Sequence, residues 1–476
     1  MMPARAGIGL LGALLWSLIA VAEVDMAMAQ DADLDLIPQA IQQAAATKSP
    51  TAGPTGADQR LYLEDALSVS SERSGLIVPA AAPLPYDWQE RVFLDVSKVW
   101  NLADGLGLTY SGRLNLRFEN DLSFPTHENV INDLRELYLG WHPWDRTYLD
   151  VGRINLKSGV GLGYNPTDYF RTRAVVEPLS ADPTVLREDR LGTLMVRAQQ
   201  LWQGGSLTAA YAPRLYDSSA IYSNLDLPSF NPMLDRTNAQ NRFLAKASVN
   251  VADNFSPEGL LYEENGETRL GTNLALGFGQ RMVGYVEWSG GRRASLIDEA
   301  LRYGRETGTL PMEAPAVLPA STKESFQNEL AVGASYATET RITFNLEYHL
   351  DEGSFTAGDW RNWFAVGRGR SASSPIAAAL WYLRGYAQDQ QDPVSRHSLF
   401  LRADWVDAFV PKLELTGFVN VDLYDGSGLL QLSADYYLSD HWTVGALAMT
   451  NFGRARSDFG SLSQAANFLI KVARYL

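Results

Sequence analysis

Lys412-Leu-Glu-Leu-Thr-Gly-Phe-Val-Asn-Val-Asp-Leu-Tyr-Asp-Gly-Ser-Gly-Leu-Leu-Gln-Leu-Ser-Ala-Asp-Tyr-Tyr437 is the stretch that decides the fold. Leu413, Leu415, Val419, Val421 and Leu423 share one parity, and Lys412, Glu414, Thr416, Asn420 and Asp422 share the other. A period of two is the signature of a β-strand. The Asp-Gly-Ser-Gly between the two alternating segments is a turn. Strands of about 10 residues with one apolar and one charged face suit a closed sheet with lipid outside and water inside. The expected fold class is all-β, a transmembrane antiparallel β-barrel.

The same device recurs from Asp87 onward. Phe93 to Trp100 and Leu108 to Glu119 flank Ala-Asp-Gly, and Leu191 to Leu201 and Leu207 to Leu215 flank Gln-Gly-Gly. Trp363 to Gly367 and Leu380 to Tyr386 read as two further strands of the series. The count is about 18, with about 16 to 20 allowed, inside the range of single-chain bacterial barrels. Short turns and long loops stop alternating between Tyr216 and Leu270, so a strand near Leu260 to Glu264, or one upstream of Asp87, is missing from the series.

Residues 1–29 read as a signal peptide: Arg5, an apolar run from Ala6 to Ala22, and the small-x-small site Ala27-Met28-Ala29. Glu23 and Asp25 cut that run below the ~20 apolar residues of a spanning helix. Residues 30–86, rich in Ala, Pro, Gly and Thr, read as a periplasmic N-terminal tail or linker, with short helices conceivable near Leu34 to Ala45 and Tyr62 to Ser68. Residues 87–476 are then the barrel. A mean hydropathy of -0.15 fits, since lumen residues dilute lipid-facing ones. The absence of cysteine excludes disulfides and thiolate sites. A net charge of -15 opposes nucleic-acid binding, and 12 Trp, 21 Tyr and 18 Phe suffice for aromatic belts at both membrane interfaces.

Alternation also names the lumen. Arg113, Asn115, Arg117 and Glu119 oppose Leu114, Leu116 and Phe118, and Glu136 opposes Leu137. Arg197, Lys246, Asn345, Glu347, His349, Arg384, Arg402, Asp404 and Asp435 fall on the polar parity of their segments. The phase changes within the strand from Tyr148, so a β-bulge at Gly152 is expected to turn Arg153, Asn155 and Lys157 inward. Fixed basic groups lower the barrier to anions, and opposed acids create a transverse field. Pairing of these charges to stiffen the wall is the competing reading.

Val151-Gly-Arg-Ile-Asn-Leu-Lys-Ser-Gly-Val-Gly-Leu-Gly-Tyr-Asn-Pro-Thr-Asp-Tyr-Phe170 is the most motif-like segment. Its Gly-Arg strand end, Gly-rich loop and Asn-Pro-x-Asp-x-Phe resemble the corresponding segment of proteobacterial outer-membrane barrels of the porin-like and, more loosely, alginate-export-like type. The resemblance implies passive passage of solutes or of polysaccharide. Downstream, Arg171, Arg173, Arg187 and Arg190 alternate with Glu177, Asp182, Glu188 and Asp189, a pattern suited to an inward-folded constriction or to an outer loop tied by its own ion pairs.

The expectation is therefore an outer-membrane channel, not an enzyme, for small polar or anionic solutes, lined by Arg113, Arg117, Glu119, Glu136, Arg153, Asn155, Lys157, Arg171, Arg173, Arg384, Arg402 and Asp404. No cofactor or metal is called for. Its surroundings would be bilayer, lipopolysaccharide and the assembly machinery, with a homotrimer compatible. An export conduit for an acidic polysaccharide is the alternative. A lipid-modifying hydrolase is a third reading, because His142 or His349 could meet a serine across strands, although no nucleophile motif supports it.

Overall fold

The computed structural model describes residues 59–73, 87–119, 129–176, 180–219, 231–252, 254–310, 318, 324–371 and 373–476. The signal-peptide reading, the tail up to residue 58 and Glu177 lie outside them. Eighteen strands form one antiparallel sheet: β1 (Gln59–Glu72), β2 (Trp88–Ala103), β3 (Leu106–Glu119), β4 (Val130–Trp144), β5 (Thr147–Ile154), β6 (Thr193–Trp202), β7 (Gly205–Ala212), β8 (Arg242–Val249), β9 (Glu258–Glu264), β10 (Glu267–Phe278), β11 (Met282–Arg293), β12 (Ser325–Ala337), β13 (Ile342–Asp351), β14 (His397–Trp405), β15 (Leu413–Asp422), β16 (Gly428–Tyr437), β17 (Trp442–Phe452) and β18 (Gln464–Tyr475). Each pairs with its sequence neighbours, and β1 closes the ring against β18, with Ala66 opposite both Arg91 and Lys471.

Closure satisfies every strand edge, which hydrocarbon demands. Outward positions carry exposed apolar side chains such as Leu139, Val196, Leu270, Val332, Leu346 and Leu432. Trp100, Trp141, Trp144, Trp202, Phe278 and Tyr336 form a belt beside the short turns of one end, and Tyr211, Phe326 and Tyr424 stand at the opposite end. The barrel is thus of the bacterial outer-membrane type, with short turns on the periplasmic side. No described helix is long and apolar enough to cross a membrane.

The strand count holds, while three details of the sequence reading change. The barrel starts at Gln59, inside the stretch assigned to a tail, and Tyr62 to Ser68 is strand. The strand expected near Leu260 to Glu264 is β9, yet short turns and long loops still do not alternate there, since residues 250–257 join β8 to β9 and only 265–266 join β9 to β10. The segments at Trp363 to Gly367 and Leu380 to Tyr386 are helices, within α1 to α3 (Leu296–Glu306, Ala357–Gly367 and Pro375–Gln390). Their start signals explain why. Thr356 and Asp359 make a capping box, and Pro375 takes the first turn after Ser374. Trp360, Trp363, Leu380, Leu383 and Ala387 then bury one continuous apolar core with Leu296, Ala300 and Leu301, so the three helices form a cap at the loop end.

Gly152 causes no bulge. It stays in register with Tyr138 and Met195 and instead adopts φ +142, where a Cβ would lie 2.3 Å from the Leu137 carbonyl oxygen. Gly152→Ala should therefore destabilise the barrel by about 1–3 kcal/mol, seen as a lower urea midpoint in detergent micelles. An unchanged midpoint would show that the backbone relaxes there.

Candidate functional site: a clamped loop across the lumen

The 155–192 connection between β5 and β6 turns into the barrel instead of outward. Three glutamates of the opposite wall hold it there. Glu287 on β11 accepts the backbone N–H of Val160, Gly161 and Thr167 at 2.9, 3.1 and 2.8 Å, and the Thr167 hydroxyl at 2.8 Å. Glu347 on β13 accepts Leu162 N–H at 2.5 Å, Gly163 N–H at 2.8 Å and the Tyr285 hydroxyl at 2.6 Å. Glu329 on β12 accepts the Tyr164 hydroxyl at 3.0 Å. Charged acceptors bonded to several N–H groups in a dry site are strong.

The glycines of the motif make this approach possible. Gly159 has φ +91, and a Cβ there would sit 2.4 Å from Glu287 Oε1; one on Gly163 would meet Phe400 at 2.6 Å and His349 at 2.8 Å. Of the clamp, the sequence reading placed Glu347 on the lumen side but left out Glu287 and Glu329. Their parity, between Tyr285 and Ser289 and between Gln327 and Ala331, was legible, but their target was not.

The loop then crosses to the cap. Arg171 bonds Asp392 at 2.6 Å, and Arg173 and Arg236 share Asp389 at 3.1 and 2.7 Å, pinning the end of α3 to the loop. Arg190 grips Asp168 with two bonds of 2.8 and 3.0 Å. Burial pushes the Asp168 carboxyl up, but Arg190 and Arg187 outweigh it and hold it below its ordinary value. Asn155 joins this cluster by accepting from Arg190 and donating its backbone N–H to Glu136.

The remaining expected pore residues divide. Arg113 is bonded to both Asp95 and Asp189, and Arg402 to Asp182 and Asp404, so each ties wall to loop. Arg117 is buried beside Glu119 at 3.6 Å, and Lys157 meets Glu188 at 2.5 Å on a more open surface. Two expectations fail. Arg153, beyond Gly152, donates to the carbonyls of Gly192 and Pro232 and is 2% exposed. Arg384 lies on α3, not on a strand; it pairs with Asp458 and Ser461 and packs over the rings of Trp360, Trp363 and Trp381.

Between loop, cap and wall lies a cavity of about 210 Å³. Arg242, Arg269 and Arg293 enter it from β8, β10 and β11, opposite Glu299 of α1, with the stacked rings of Tyr169 and Tyr262 at its floor, 4.3 Å apart. Arg293 is paired with Glu329 and Asp351. Arg242 binds Glu264 but leaves Nη1 without a hydrogen bond, and Arg269 leaves Nε without one, its contact to Glu329 being 3.8 Å. Neither was picked out from sequence. Burial raises the Glu299 carboxyl to about 7, against the pull of Arg293 and Arg269.

His349 does meet a serine across strands: its Nδ1 is 3.2 Å from Ser398 Oγ and its Nε2 2.7 Å from Glu347. The spacing is that of a hydrolytic triad. Ser398 is however 6% exposed, and Gly163 packs onto the imidazole, so no acyl group can reach the hydroxyl. The chain of bonds instead steadies the glutamate that clamps the loop. His142 packs edge-on to Tyr148. Among the described residues, no three His, Asp or Glu side chains are grouped to hold a metal ion.

A closed 18-strand barrel with an inward-folded loop is the porin-type architecture of bacterial outer membranes. No family model and no curated protein matches the chain. Among solved structures it is similar to Pseudomonas aeruginosa OccK8 (OprE), at 11% identity and TM-score 0.50 over 88% of this chain and 97% of that one. It is likewise similar to a BenF-like porin from Pseudomonas fluorescens, at 10% identity and TM-score 0.50 over 88% and 98%. At such identity the likeness shows the shared fold.

Removing Glu287 would strand three N–H donors at about 1–3 kcal/mol each if they stayed buried. Glu287→Ala should therefore release the loop and raise single-channel conductance in planar bilayers. Unchanged conductance would mean that Glu347 and Glu329 hold it alone.

Proposed function

We propose that the protein is a passive outer-membrane channel that admits small polar solutes and favours anions. The observation that carries this reading is the clamped loop, which narrows the barrel beside a cavity lined by seven arginines, Arg242, Arg269 and Arg293 among them, against five carboxylates. Flux would follow the solute's own gradient, with no reaction catalysed. A solute carboxylate or phosphate passing here would exchange water for guanidinium donors, which bind oxyanions strongly. The cavity's 210 Å³ corresponds to about seven water volumes. That size supports a small solute over an acidic polysaccharide, whose export would require the loop and cap to vacate the lumen.

Reversal potentials across a salt gradient test this directly. The wild-type channel should prefer anions, Arg269→Ala should weaken that preference, and Arg153→Ala, whose side chain is not part of the cavity lining, should not. A cation-selective wild type would sink the proposal.

The pH dependence has a fixed sign. Below about 7 Glu299 is neutral and the cavity is more positive; as pH rises through that value it gains a negative charge beside Arg269 and Arg293. Anion preference should thus fall from pH 6 to 8, and Glu299→Gln should remove the change. A wild-type profile flat across this window would show that Glu299 does not titrate there.

A further inference from the structure

The three helices of the cap share an apolar core to which, among the described residues, no strand contributes: Leu296 and Leu301 of α1 meet Trp360 and Trp363 of α2 and Leu380 and Leu383 of α3. The cap is tied to the rest of the molecule by polar side chains. At one end Asp389 and Asp392 receive Arg171, Arg173 and Arg236 from the connections after β5 and β7, and the Tyr303 hydroxyl donates to the Ser219 carbonyl at 2.6 Å. At the other end Arg384 reaches Asp458 at 2.5 Å and Ser461 at 2.7 Å in the β17–β18 connection. The cap itself springs from the connections that flank β12 and β13, so it lies across the mouth, tied to the ring on either side. A unit with its own dry core and a polar seam can part from its neighbours as a rigid body.

Two carboxyls are closed into that seam. Asp458 is 5% exposed; it faces Arg384 of α3, Asp422 at the end of β15, Asp425 in the turn that follows and the Ser395 hydroxyl. Burial, with the two neighbouring aspartates, pushes it up to about 6 against the pull of Arg384. Glu299 of α1 faces Arg293 and Arg269 of the wall, Glu267 of the β9–β10 hairpin, Asp392 after α3 and Tyr386 on α3. Its carboxyl stands at about 7, burial again being the largest effect.

We propose that the cap is a lid that moves as one body on this seam, closed over the mouth in acid and lifting as the pH rises. Each of the two carboxyls holds its proton more tightly inside the closed seam than in water, so protons favour the closed form. As the pH rises through about 6 to 7, each must either ionise where it is buried or gain solvent by parting the seam. Each pH unit by which the two settings differ is a factor of about ten in the balance of open and closed forms. Arg171 and Arg173 join the cap to the constriction loop, so the lid's movement is felt at the constriction as well.

The chain has no cysteine, so a single thiol can report on the seam. Ser461→Cys places one beneath Arg384, where the serine is 3% exposed, and Asp217→Cys places a reference thiol on an exposed loop. In full-length protein in outer-membrane vesicles, labelling of the first by a membrane-impermeant thiosulfonate, divided by that of the second, should rise on the order of tenfold or more from pH 5 to 8. Adding Glu299→Gln and Asp458→Asn should flatten the rise. The Arg173 N–H already donates to the Asp389 carbonyl at 2.8 Å, so a disulfide joining Arg173→Cys to Asp389→Cys should latch the lid. With that bridge closed, the open probability in planar bilayers should stay at its acid value at every pH, and reduction should restore the increase seen in the unmodified channel. The proposal is overturned by a labelling ratio that is flat or falls with pH, by a rise that survives the two carboxamide substitutions, or by an open probability that still climbs with the bridge closed. Labelling reports the lid alone, so its outcome is independent of whether the pore prefers anions.

Discussion

Backbone amides and carbonyls cannot be left unpaired in hydrocarbon, and the rest of this structure depends on that constraint. It forbids a sheet edge, so β1 must meet β18, and closure turns a simple alternation into two environments, lipid outside and water inside. Once the lumen is fixed as the polar side, carboxylates such as Glu287, Glu329 and Glu347 have nowhere to point but inward. There they meet the backbone amides and the Tyr164 hydroxyl of the glycine-rich connection after β5. The constriction is therefore a secondary consequence of closure, built from wall acids and loop amides.

The charges inside are mostly in balance. Arg113, Arg171, Arg190 and Arg402 each have carboxylate partners, and most of those pairs join wall to loop or loop to cap. Removing one partner of such a buried pair costs more than the pair itself contributes, because a bare charge remains. Paired arginines therefore tie the passage into shape, while Arg242, Arg269 and Arg293 line the cavity beside it.

Much of this architecture was legible in the sequence. Strands such as β15 and β16 alternate cleanly because both faces are fully committed. β1 was missed because Asp65 sits on the apolar parity and breaks the alternation that surrounds it. The cap helices were misread because short apolar runs like Trp363 to Gly367 fit either period; Thr356 with Asp359, and Ser374 before Pro375, were the signals that could have decided it. The inward turn of the loop was legible as glycine and arginine density. Which wall residues receive it was not, since those contacts join positions 106 to 185 residues apart.

That separation sets an order on assembly. The cap draws on two connections that flank a single hairpin, β12 with β13, and its apolar core can gather while the wall is still an open sheet. The clamp cannot: Glu287 and Glu347 lie 126 and 185 residues beyond the amides they hold, on strands that face the loop across a completed ring. A half-built wall therefore has no constriction. The narrowing of the passage serves as the molecule's own record that its circumference has been finished.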